Sequence, residues 1–87
     1  MNTVELIRQR LAALAPQHLE IADDSALHAG HAGAGAGGHY RLTIVCERFA
    51  GLSTVARHRL VYDTLGELMR SEIHALSITA ATPDEFF

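Results

Sequence analysis

A change of hydrophobic period inside one continuous stretch, Arg57 to Leu76, limits what this chain can fold into. At 100° per residue, His58, Val61, Tyr62, Leu65, Leu68 and Met69 fall on one stripe. Arg59, Asp63, Glu67 and Arg70 fall on the opposite side, with Arg59–Asp63 and Glu67–Arg70 at the spacings of helical ion pairs. One amphipathic helix is therefore predicted, running to about Arg70 and lying flat on an apolar surface. At Ile73-His74-Ala75-Leu76 the period drops to two, and Leu76-Ser77-Ile78-Thr79-Ala80 continues the alternation as a strand. His74 stands at this changeover, at the rim of a sheet, where side chains meet partners.

The segments before this helix supply what it crosses. Asn2 with Glu5 is a capping pair for a helix beginning near Thr3. Val4, Ile7, Leu11 and Leu14 give that helix one buried stripe, which stops before Pro16. Leu19 to Ser25 reads as a short strand ending in turn-forming acids; Asp23-Asp24 is a solvated strand end before it is a metal site. His39 to Phe49 is the strongest strand, with Tyr40, Leu42, Ile44 and Cys46 on one face and Arg41, Thr43 and Glu47 on the other. Cys46 is expected to be a small core residue rather than a reactive thiol. Ser53 caps the long helix, with Leu52 before it as a staple. His58 is expected in the core, and Leu60 is either incidental or part of a partner surface. Thr82-Pro83-Asp84-Glu85 opens a short capped helix of about one turn.

Two strands joined by a loop pair antiparallel, and a helical crossover makes the third strand parallel to the second. The expected fold is a single α+β domain over residues 1–87, in the order α-β-β-α-β. It is a three-stranded mixed sheet with the helices packed on one face. Eighty-seven residues, 48% of them hydrophobic, suffice for one small core. One cysteine excludes an internal disulfide, and neither a signal segment nor an apolar run of about 18 residues is present, so a soluble cytoplasmic protein with no membrane contact is expected.

The histidines carry the candidate chemistry. Residues 28–39, HAGHAGAGAGGH, form a Gly-Ala loop that presents His28, His31 and His39. The loop has no Gly-Lys-Ser/Thr and no following helix, which argues against a nucleotide loop. Its histidines read either as solvated residues, or as one ligand given to a shared site, or as a self-contained metal site; a structural zinc site takes four ligands. No nucleophile–base–acid set stands out, since Ser25 near His28 is only a loop proximity, and no enzyme is expected. The basic residues are seven arginines and no lysine, and net charge is −3 with histidine neutral. That balance is poor for strong nonspecific DNA binding.

The segments DDSALHAGHAG, HYRLTIV, FAGLSTVARHRLVYDTL and IHALSITAATPDEF resemble the BolA family, from Val4 to Phe86. RHRLVY followed by IHAL is the specific part. The resemblance implies a fold similar to the class II KH domain. It also implies a regulator of stress response and cell shape that partners a monothiol glutaredoxin and shares a [2Fe–2S] cluster with it. Such a cluster takes four ligands, and histidine can replace cysteine on one iron. The family's C-terminal histidine ligand corresponds to His74. Its loop ligand corresponds to His28, with His31 or His39 as substitutes, and the glutaredoxin cysteine and glutathione would supply the thiolates. No cofactor is required for folding, and the chain alone is expected to be a monomer or a weak homodimer. The alternative is a DNA-binding transcriptional regulator that contacts phosphate through Arg57 and Arg59. The Phe49–Ser53 turn has one glycine and no GXXG, so such binding would be modest and sensitive to salt.

Overall fold

The structure is a computed structural model that describes residues 2–25 and 38–87. His28 and His31 lie outside the described residues. Helix α1 (Thr3–Leu11) begins as its cap predicts, with Asn2 Oδ1 accepting the Glu5 N–H at 2.9 Å. A 3₁₀ turn (Ala12–Leu14) follows, and Ala15, at φ 51°, ends it before Pro16. Ile7, Leu11 and Leu14 are buried, as their spacing requires.

Strand β1 (His18–Asp23) pairs antiparallel with β2 (Gly38–Val45), and β2 pairs parallel with β3 (Ile73–Ala81). The strand order is β1-β2-β3, the mixed sheet that the crossover dictates. The register stacks apolar partners on one face: Leu19 on Ile44, Ile21 on Leu42, Tyr40 on Leu76, and Leu42 on Ile78. Ile7 and Leu11 of α1 complete this core with Val61, Leu65, Phe49, Leu68 and Ile73. Each such side chain contributes about 1.5–3 kcal/mol when fully buried. On the other face Arg41 pairs with Ser77, and Thr43 with both Glu20 and Thr79.

Strand β2 stops earlier than its alternation suggests. Cys46 Sγ accepts the Arg48 N–H at 3.3 Å and starts a 3₁₀ turn at Glu47–Phe49, so a local side-chain bond replaces the ladder. Cys46 itself is buried, with its thiol donating to Leu14 O at 3.0 Å.

The long helix is two helices. Helix α2 (Thr54–Leu65) starts on the predicted cap, Ser53 Oγ accepting the Ala56 N–H at 3.1 Å. It ends at Gly66, whose φ of 59° and ψ of −130° break the ladder, and a separate short helix α3 (Leu68–Ser71) follows. Arg10 Nη1 donates to Leu65 O at 3.2 Å, serving one of the carbonyls freed there. The buried stripe centres on Val61, Leu65 and Leu68; Tyr62, 100° round from Val61, is 40% exposed. His58 accordingly lies half-buried at the margin rather than in the core, and Leu60 packs against the core's edge. Helix α4 (Pro83–Phe86) carries the capping box of Thr82 and Glu85, and stacks Phe86 on His18 with ring centroids 5.0 Å apart.

Candidate functional site

His39 and His74 meet at one end of the sheet because of an irregularity between β2 and β3. Gly38 partners Ile73, but His39 partners Ala75, so β3 carries one extra residue, His74. In a regular strand His74 would face opposite to Ala75, and therefore opposite to His39. A bulge re-aims a side chain, and here two successive residues, His74 and Ala75, are exposed after buried Ile73. The imidazoles of His39 and His74 end with ring centroids 5.1 Å apart and a 46° tilt. His39 is half-buried and His74 exposed, so the pair opens to solvent on one side.

The backbone around His39 is fixed from three directions. Its N–H donates to Ser25 Oγ at 3.1 Å, its carbonyl accepts the Asp24 N–H at 2.8 Å, and the Gly38 N–H donates to Glu72 O at 3.1 Å. Gly38 is required by close approach: a Cβ there would lie 2.6 Å from both Ser25 Oγ and the Tyr40 hydroxyl. The two acids of the strand end are used locally. Asp23 Oδ1 accepts the Ser25 N–H at 2.9 Å, and bonds from Ser25 draw its carboxyl below the usual range. Asp24 pairs with Arg41. No group of three or more metal-ligating side chains occurs among the described residues.

Arg57 and Arg59 are placed differently. Arg57 Nη1 and Nη2 hold Glu85 at 2.6 and 3.1 Å, Nε donates to Leu52 O at 3.0 Å, and Nη1 also reaches Ala80 O. Its donors are spent inside the fold. Arg59 is exposed beside Val55, His58 and Tyr62 in an open depression on α2. The Arg57–Glu85 pair and the bulge at His74 both escaped sequence reasoning: the first joins residues 28 apart, the second depends on the partner strand.

The α-β-β-α-β domain with a parallel crossover is shared with solved BolA structures. Residues 11–85 match the BolA-like protein family, and the chain belongs to it. It is 49% identical over 86 residues to SufE-like protein 1 of Arabidopsis thaliana, covering 91% of this chain and 23% of that protein. It is 42% identical over 71 residues to the DNA-binding transcriptional regulator BolA of Vibrio cholerae, covering 82% and 65%. BolA1 from Arabidopsis thaliana superposes with a TM-score of 0.85 at 40% identity, covering 98% of this chain and 96% of that one. The chain thus spans between about a quarter and two thirds of these curated relatives' length. The relatives named as regulators or BolA-like proteins are not named as enzymes. Among the described residues no helix is long and apolar enough to cross a membrane.

Proposed function

We propose that this protein is a non-enzymatic partner of a monothiol glutaredoxin that shares a [2Fe–2S] cluster with it, in iron and redox homeostasis. The supporting observation is the spacing of His39 and His74. A metal–nitrogen bond of about 2.0–2.1 Å puts an imidazole centroid roughly 3.2 Å from the metal, and two such rings on one tetrahedral centre stand about 5.2 Å apart. The observed centroid separation is 5.1 Å. Two histidines on one iron is a known ligation of this cluster type, and it leaves the other iron for two thiolates. Cys46 cannot serve, being buried with its thiol turned to Leu14 O. The thiolates would come from the glutaredoxin cysteine and glutathione. His74 is the first ligand and His39 the second; His28 and His31, outside the described residues, are the alternatives to His39. The bulge sets His74 outward and backbone bonds at Ser25 and Gly38 fix His39, so this chain's work is to present two imidazoles to a cluster carried by its partner.

The test is co-expression with the host's monothiol glutaredoxin, followed by visible absorption and circular dichroism of the purified complex. A cluster spectrum distinct from that of glutaredoxin alone, and altered in His74→Ala, supports the reading. A spectrum unchanged in His74→Ala removes it.

The name of the Vibrio cholerae relative, a DNA-binding transcriptional regulator, favours a second reading, DNA-binding transcriptional regulation. With Arg57 engaged by Glu85, exposed Arg59 on α2 is the residue left for phosphate. Such binding would weaken steeply with salt, and a flat salt slope would count against it.

A further inference from the structure

A depression of about 470 Å³ follows the outer edge of β1. Arg8 of α1, residues 19–22 of β1, and Arg41 and Thr43 of β2 line it. Successive strand residues point to opposite faces, so a hollow that touches four in a row lies along the edge and not on one face. We infer that this edge pairs antiparallel with the same edge of a second copy of this chain, joining two three-stranded sheets into one continuous sheet. The contact lies at the edge opposite β3 and His74, so it stands whether or not the cluster reading does.

The main chain supplies the pairing groups. The Asp24 N–H donates to His39 O, which places the even-numbered residues of β1 in the ladder with β2. Leu19, Ile21 and Asp23 therefore turn their N–H and C=O groups outward, the template that an edge strand offers to another strand. The side chains choose the occupant. Leu19 and Ile21 face the core but stay half-buried, which leaves apolar surface for a further strand to cover. Asp23, on the same face, is exposed. Arg8, over that face, is also exposed and makes no ion pair among the described residues. With Ile21 opposite Ile21 of the second copy, Leu19 stands opposite Asp23 of that copy, and Arg8 meets its carboxylate. A two-fold axis forms this ion pair twice and closes the contact, so it does not propagate into fibres. On the other face Glu20 stands opposite Ala22 of the second copy, whose β2 neighbour is Arg41. The register with Ile21 opposite Leu19 would instead set the two Glu20 carboxylates directly against each other, which is unfavourable. Charge thus selects both the occupant and the register.

The experiment is sedimentation of the full chain from micromolar to millimolar concentration, with amide hydrogen exchange at both ends of the range. The expected result is a monomer that passes into a dimer, with exchange at the Leu19 and Ile21 amides slowing as it does. Arg8→Glu and Asp23→Arg should each weaken the dimer by about tenfold or more, because each brings like charges together twice. The double variant Arg8→Glu/Asp23→Arg should restore it, which a merely structural role for either residue would not allow. Ile21→Pro removes an N–H that β2 does not use, so it should give a folded monomer, checked by circular dichroism. A chain that stays monomeric at millimolar concentration, a dimer indifferent to both charge reversals, a double variant that stays monomeric, or a folded Ile21→Pro that dimerises like the wild type would each overturn the inference.

Discussion

Arg57 and Glu85, 28 residues apart, close the start of α2 onto the C-terminal helix through two nitrogen–oxygen contacts of 2.6 and 3.1 Å. The same guanidinium also donates to Leu52 O and Ala80 O. Bonds from Arg57, and then from the Thr82 backbone, draw the Glu85 carboxyl from its ordinary 4.5 down to about 2. A depressed carboxylate contributes stability that is complete above its unfolded value and is lost as pH falls through the folded one. Wild-type stability should therefore drop between pH 4.5 and about 2 partly through this group. In urea titrations at about pH 6 and about pH 3, the difference between wild type and Glu85→Gln should shrink at the lower pH. A difference that stays constant would separate Glu85 from the acid response.

Gly38→Ala should destabilise by about 1–3 kcal/mol, because its new methyl meets Ser25 Oγ and the Tyr40 ring. Tyr40 is buried, so the ring cannot swing clear without opening the core. Equilibrium unfolding in urea measures the loss. An unchanged midpoint would mean that the start of β2 relaxes freely.

His74→Ala should leave stability within about 0.5 kcal/mol of wild type, since the side chain is exposed at a bulge. His39→Ala keeps the backbone bonds that fix residue 39 and should also fold normally. Under the proposed function, both variants should nonetheless lose or alter the cluster spectrum of a complex with the glutaredoxin. Thermal melts beside the visible spectra separate the two effects. A variant that melts early would show a structural role for its imidazole instead.

Cys46 should resist thiol reagents in the native state and react only on unfolding, because it is 1% exposed and engaged with Leu14 O and the Arg48 N–H. Cys46→Ala leaves that buried carbonyl without its donor and should cost about 1–3 kcal/mol. Labelling with a chromogenic disulfide reagent, with and without urea, measures the first; unfolding midpoints measure the second. Rapid labelling without urea would contradict the buried assignment.

Periodicity determined the element order, because the alternation of Tyr40, Leu42 and Ile44 and the spacing of Val61 and Leu65 are set by which face each residue must bury, and the crossover rule then implied the mixed sheet. The caps at Asn2, Ser53 and Thr82 were equally legible, since each is a bond between neighbours in the chain. The break at Gly66 was hidden by a stripe that continues through Leu68, although the glycine itself was a signal. His74 could be named from its place at the change of period, but its ring partner could not. That choice depends on one extra residue in β3 relative to β2, which shifts a side chain from one face of the sheet to the other. The commitment of Arg57 to Glu85 was likewise out of reach, because it needs the C-terminal turn folded back against α2. Side-chain periodicity is a property of one segment, and these two features belong to pairs of segments that only the tertiary structure brings together.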